Sequence, residues 1–340
     1  MTKKLYLITI ISFFSSAVAM AQTTLDVNFN GMGFLDNREY KDFVARSRTY
    51  SGTRTALDFG LNVDSLNSFV LGANAIHEFG AVPYFLKVDP IAYYRFKNKN
   101  WLFHIGEFPR EGLLDDYPRA LLNDTLRYYR PNVEGMLLRF DNNINFKETF
   151  WLDWVSRQTT TAREQFLFGM SGKYSPIAKG LFYISHYFLL LHDAGSASNA
   201  NAITDNGGAQ IRLGLDFSHK TFLDSLSIEA GGMTSIERTR GVTGLRLPKG
   251  FIASVYLGWH WIAVYNEFYA GQGSTIYYGD AFYEKKFYDR MDFMFTPFKA
   301  NRLKGQFIFS VHRTPGYTSN QEAFRLTYDL GRRVIARFKD

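Results

Sequence analysis

The feature that most constrains this chain is a rhythm. From residue 22 onward it falls into about sixteen segments of roughly ten residues in which apolar and polar side chains alternate. Short and long connections take turns between those segments. Successive side chains of a strand point to opposite faces. Ala56-Leu57-Asp58-Phe59-Gly60-Leu61-Asn62-Val63-Asp64 is therefore apolar on its odd positions and polar or small on its even ones. Gln210-Ile211-Arg212-Leu213-Gly214-Leu215-Asp216-Phe217 repeats the pattern, as does Phe324-Arg325-Leu326-Thr327-Tyr328-Asp329-Leu330. A soluble β-sandwich also alternates, but sixteen strands in one such domain would be unusual. A wall with lipid on one side and water on the other fits better. The pattern predicts an all-β fold, a transmembrane antiparallel β-barrel of about sixteen strands.

The connections support that count. The short set is 65–66, 98–100, 143–144, 175–177, 219–221, the junction at His260-Trp261, and 298–301. The long set is 36–52, 80–85, 110–131, 156–163, 192–205, 238–248, 273–288 and 315–320. Short turns belong to the periplasmic rim and long loops to the outside, and the two sets interleave when the chain starts in the periplasm. The close pair of strands at 249–260 and 261–272, and the tail 332–340, leave fourteen strands open.

The first residues point to export. Lys3 and Lys4 precede an apolar run over 5–14 that is too short to span a bilayer, and Ala19-Met20-Ala21 is a small-x-small cleavage pattern. Residues 1–21 are read as a signal peptide and 22–340 as one outer-membrane barrel. Cysteine is absent, so disulfides and thiolate metal sites are excluded. No apolar run is long enough for a membrane helix, which excludes a helical inner-membrane protein. Aromatic residues make up 17% of the chain, which suits strands that meet lipid and its interfaces. The formal charge of +7 falls to +5 when Lys3 and Lys4 leave with the leader. So modest an excess on an exported chain argues against nucleic acid and for a weak anion preference in a pore.

One connection stands apart. The third long loop, 110–131, mixes leucines, tyrosines, acids and four arginines. Leu113, Leu114, Leu121, Leu122 and Leu126 need burial, and the lumen of a sixteen-strand barrel can admit the loop. Folded inward, it would set charge across the channel, which is how pores select ions and polar solutes. The candidate constriction comprises Arg110, Asp115, Asp116, Arg119, Asp124, Arg127 and Arg130. An ordered external loop is the other reading.

The runs Gly106-Glu107-Phe108-Pro109-Arg110, Tyr117-Pro118-Arg119-Ala120-Leu121 and Tyr128-Tyr129-Arg130-Pro131-Asn132-Val133-Glu134-Gly135 resemble a family of outer-membrane β-barrels from Bacteroidota. So do Leu35-Asp36-Asn37-Arg38-Glu39-Tyr40 and Trp151-Leu152-Asp153-Trp154-Val155-Ser156-Arg157-Gln158-Thr159. The resemblance covers the N-terminal half and implies location more than activity. The strand-then-inward-loop order also looks like porins, including anion-selective ones; that likeness is one of topology.

By parity the lumen receives Arg95, Arg139, Asp153, Arg212, Glu267, Arg290 and Arg325, with Asp58, Glu229, Asp292 and Lys304 among others. Many of these should pair across strands. Glu148 and Asn266 fall on the lipid face and should lie near a rim. Catalysis is set aside at this stage. Ser185 and His186 are neighbours on one strand and point apart, there is no Gly-x-Ser-x-Gly turn, and the histidines lack ligand spacing. The expectation is a passive porin-like channel for small hydrophilic solutes across the outer membrane. It carries no cofactor or metal, its partners are membrane lipid and solutes, and a homo-oligomer stays open. The alternatives are a surface adhesin or assembly-partner barrel and, less favoured, a lipid-modifying enzyme.

Overall fold

The computed structural model describes residues 23–177, 180–197 and 202–338. The signal-peptide reading lies outside them. The first eight strands are β1 Thr24–Glu39, β2 Arg48–Asn62, β3 Asn67–Glu78, β4 Lys87–Lys97, β5 Trp101–Pro109, β6 Asn132–Asp141, β7 Phe146–Ser156 and β8 Glu164–Tyr174. The rest are β9 Phe182–Gly195, β10 Thr204–Asp216, β11 Ser225–Thr239, β12 Lys249–Trp259, β13 Ile262–Gly271, β14 Phe287–Ala300, β15 Leu303–Thr314, β16 Tyr317–Asp329 and β17 Arg333–Arg337. From β1 to β16 each strand pairs antiparallel with the next. β1 closes the ring on β16 through residues Asn30 to Glu39 and on β17 through residues Thr24 to Val27. β16 and β17 are thus two parts of one closing strand, and the chain is a closed sixteen-stranded barrel. Closure leaves no sheet edge, as spanning a bilayer requires.

The break in the closing strand has a local cause. Gly331 takes a positive φ of 62°, and the Arg332 side chain turns inward to Asp26 and Asp58, both at 2.7 Å. Among the described residues, four non-glycine residues adopt the left-handed conformation, Asn143, His219, His260 and Asn301, and all four sit in connections between consecutive strands. Tight hairpins need positive φ to match the strand twist. That is how strands β12 and β13 can follow each other across His260-Trp261.

Several boundaries differ from the sequence reading, among them the short turn at 219–221, which widens to 217–224. The eighth long connection shrinks to Pro315-Gly316, with Gly316 at φ 82°, and the first shrinks to 40–47. In both places the strands run on past the expected span.

The wall is inverted relative to a soluble protein. Leu213 and Phe293 face outward, 53% and 45% exposed, while Arg212 and Asp292 face inward, 4% and 1% exposed. Among the described residues no helix is long and apolar enough to cross a membrane; the strands do so. The protein is an outer-membrane β-barrel.

Candidate functional site

Loop 110–131 crosses the lumen. Its ends are pinned at one carboxylate on β7: Arg110 Nη2 donates to Asp153 Oδ2 at 2.5 Å and Arg130 Nη2 to Oδ1 at 3.2 Å. Asp153 is fully buried and also accepts from the Glu134 backbone N–H. Between these anchors, Leu114, Tyr117, Ala120, Leu121, Leu122 and Leu126 are buried against the wall and against a second loop. Trp151 on β7 donates to the Tyr117 hydroxyl at 2.9 Å, and Arg139 on β6 donates to the Leu113 carbonyl at 2.6 Å. On the far wall, Arg119 reaches Asp292 on β14 at 3.0 Å and Arg325 on β16 reaches Asp124 at 3.4 Å. The loop closes with one helical turn, α1 (Leu126–Tyr129).

The second loop, 272–286, also folds inward, which the sequence reading did not anticipate. The backbone N–H groups of Asn123 and Asp280 donate to Tyr278 and Arg119 carbonyls, at 2.6 and 2.9 Å, tying the two loops together. Ile276, Phe282 and Tyr283 join the same buried cluster. The available signal was the one used for loop 110–131: a long connection rich in side chains that need burial, here Ile276, Tyr277, Tyr278, Phe282 and Tyr283.

Beside loop 110–131 lies a chamber of about 690 Å³, lined by both charge signs. Most charges on its wall are already paired. Arg54 bridges to Glu111. Arg212 binds Glu229 at 3.2 Å and Glu267 at 3.0 Å, and Tyr265 and Tyr283 donate to Glu267 as well. Burial pushes the Asp124 carboxyl up, but Arg38, Arg325, Arg119 and Arg290 outweigh it and hold the group well below the usual carboxylate range. Asp280 goes the other way: burial raises it, against the pull of Arg290.

The seven candidate constriction residues therefore separate. Arg110 and Arg130 are anchors on Asp153; Arg119 and Asp124 are tied to the far wall. Arg127, Asp115 and Asp116 are the exposed ones that face the chamber. Asp115 accepts from the Gly112 backbone N–H, and Asp116 lies 3.7 Å from Lys147. Of the wall candidates, Arg212, Glu267, Arg290 and Arg325 belong to the paired networks, Arg290 through Asp292 at 2.7 Å. Arg95 and Arg139 donate to neutral groups, Arg95 to Asn62 and Ser68, and Arg139 to Thr149 and Leu113.

The outer wall carries polar sets among its apolar side chains. Glu148 sits near the short-turn end of β7 and pairs with His186 at 3.1 Å across Gly172, where a Cβ would strike both side chains. Asn266 donates to Asp289 at 2.7 Å and lies level with Met291 and Val311, one pair beneath Asp289 and Arg313. At the long-loop end, His192 Nδ1 lies 2.8 Å from Asp205 Oδ1, and Arg240 donates to the same carboxylate.

The sequence pattern of the lipid A 3'-O-deacylase-type family matches residues 17–337. The chain belongs to that family. This membership corrects the exclusion of catalysis drawn from the sequence. On a barrel wall, side chains can meet across neighbouring strands and leave no local spacing motif, as the His192–Asp205 contact does. No curated protein matches the chain. Among solved structures it resembles OprD of Pseudomonas aeruginosa, at TM-score 0.56 and 9% identity, covering 92% of this chain and 97% of that one. OccK2 (OpdF) of the same organism, solved in complex with glucuronate, gives TM-score 0.54 and 10% identity over 92% and 100%. A BenF-like porin from Pseudomonas fluorescens Pf-5 gives 0.51 and 8% over 90% and 98%. At such identities the likeness concerns the fold.

Proposed function

We propose that the protein is a passive diffusion channel for small hydrophilic solutes, with a weak preference for anions. The observation that carries this reading is a lumen whose constricting loop is anchored at both ends by Asp153 and leaves a charged, water-accessible chamber beside it. The constriction is formed by Arg127 against Asp115 and Asp116, with Lys304 and Arg325 on the neighbouring wall. Opposed charges across a narrow passage create a transverse field that favours polar over apolar solutes. Barrels of this fold that are called porins, and one that holds glucuronate, support the direction of the argument. Reversal potential in a salt gradient across a planar bilayer tests it: a small shift toward the chloride potential is expected, and a protein that forms no channels would refute it.

Family membership and the His192–Asp205 pair favour a second reading, ester hydrolysis on the outer wall. With Asp205 fixing Nδ1, His192 Nε2 could take a proton from water as the water oxygen attacks an acyl ester. The ester C–O bond then breaks, and the proton passes to the departing alcohol. The same-face neighbours Leu190 and Ala194 offer no hydroxyl nucleophile. Mass spectra of lipid A from cells carrying the protein or its His192→Ala variant decide this reading: loss of one acyl chain only with the intact histidine supports it.

A further inference from the structure

The chamber's charges are unevenly satisfied, and the imbalance is local. Among the described residues, the side chains of Arg127 and Lys304 make no hydrogen bond or ion pair, although both line the chamber. Lys304 lies opposite Thr327 on the β15–β16 ladder and diagonal to Arg325, whose own partner is Gln306. On its other side Lys304 pairs with Lys299 of β14, so the charged residues nearest it on the wall ladder are positive. The one carboxylate within this group, Asp124, is shared with Arg38 and Arg325 and is already neutralised by them. Glu229 and Glu267 are held by Arg212 and by tyrosine hydroxyls. Two free cations and a third that is half-used thus share one patch of wall, with Gln306 and Thr327 beside them as neutral polar groups.

We propose that this patch is a binding site for a small doubly charged oxyanion, held by Arg127, Lys304 and Arg325. The proposal rests on the channel reading for its purpose but not for its chemistry. A single negative charge would leave one of the two free cations unpartnered. A dianion satisfies both, and its several oxygens can accept from guanidinium and ammonium together. Phosphoryl groups and short dicarboxylates share this chemistry.

The test measures binding and conduction separately on the full-length barrel. Calorimetry on detergent-solubilised protein uses inorganic phosphate, succinate and acetate at pH 8, and the same anions are added to channels conducting chloride. Phosphate or succinate should bind at least about tenfold more tightly than acetate. The member of the pair that binds tighter identifies the dianion class. Lys304→Gln and Arg127→Gln should each weaken binding about tenfold, and Lys304→Arg should retain it. Both glutamine sites face water in the lumen, and unchanged heat-modifiable gel mobility verifies that the barrels are closed. Acetate binding as well as phosphate and succinate, or glutamine variants that bind like the parent, would overturn the site. Dianion binding without any channel activity would uphold the site and refute the channel.

Discussion

Two arginines of one loop, Arg110 and Arg127, look alike in sequence and have opposite fates. Arg110 is buried, bound at 2.5 Å to a carboxylate that is itself fully buried. Arg127 faces the aqueous chamber with no partner among the described residues. The difference is between a loop's anchor and its working surface. A buried charge must be paired to be tolerated, and once paired it has little left to offer a solute. An unpaired charge can persist only where water reaches it, and there it can meet a passing ion. On the channel reading, the arginine that anchors the loop and the arginine free to meet a solute are therefore different ones.

Removing the shared anchor should have the largest effect. Asp153→Ala strands the buried Arg110 guanidinium and frees the half-buried Arg130, a change expected to cost about 3–5 kcal/mol. The loop should detach, seen as new protease cleavage within 110–131. If the loop stays protected, the anchor lies elsewhere. Next comes the wall itself. Leu213→Arg on the lipid face should cost about 2–4 kcal/mol in denaturant titration from membranes, and Met294→Arg, which enters the chamber, much less. Gly214 is unsuitable as the lumen control: a Cβ there would lie 2.2 Å from the Tyr183 ring. Equal penalties at Leu213 and Met294 would contradict the assignment of faces.

A smaller effect separates the two arginines directly. Arg127→Glu should move the reversal potential toward cations while leaving stability within about 0.5 kcal/mol, as for other surface changes. The smallest expected effect is that of acid. Asp124 has a depressed folded-state value, so its contribution is complete above about pH 4, the ordinary carboxylate range, and fades only as pH falls toward that depressed value. Conductance between pH 7 and pH 5 should thus show no step from loop release.

Much of the fold was legible because its causes are local. Alternation decided the faces, and loop length decided the topology, so Leu213 and Phe293 fell outward and Arg212 and Asp292 inward as expected. Three features went unread because their causes are wholly or partly long-range. The role of each loop arginine depends on which wall residue it meets, and Asp153 carries no mark in the sequence that it will bind both Arg110 and Arg130. The second inward loop was missed because its burial depends on the first: Gly279 fits only because its bare Cα can approach the Ala120 carbonyl. The His192–Asp205 pair escaped notice for the same reason, being made by strand register rather than by spacing.

The most direct test is single-channel conductance of the purified barrel with and without residues 113–127. The deletion keeps Arg110, Arg130 and Asp153 and removes the span that crosses the lumen. The account predicts a folded barrel with a several-fold larger conductance and a reversal potential closer to that of free diffusion. Unchanged conductance and selectivity in a folded deletion variant would contradict it, because the loop would then not control passage through the lumen.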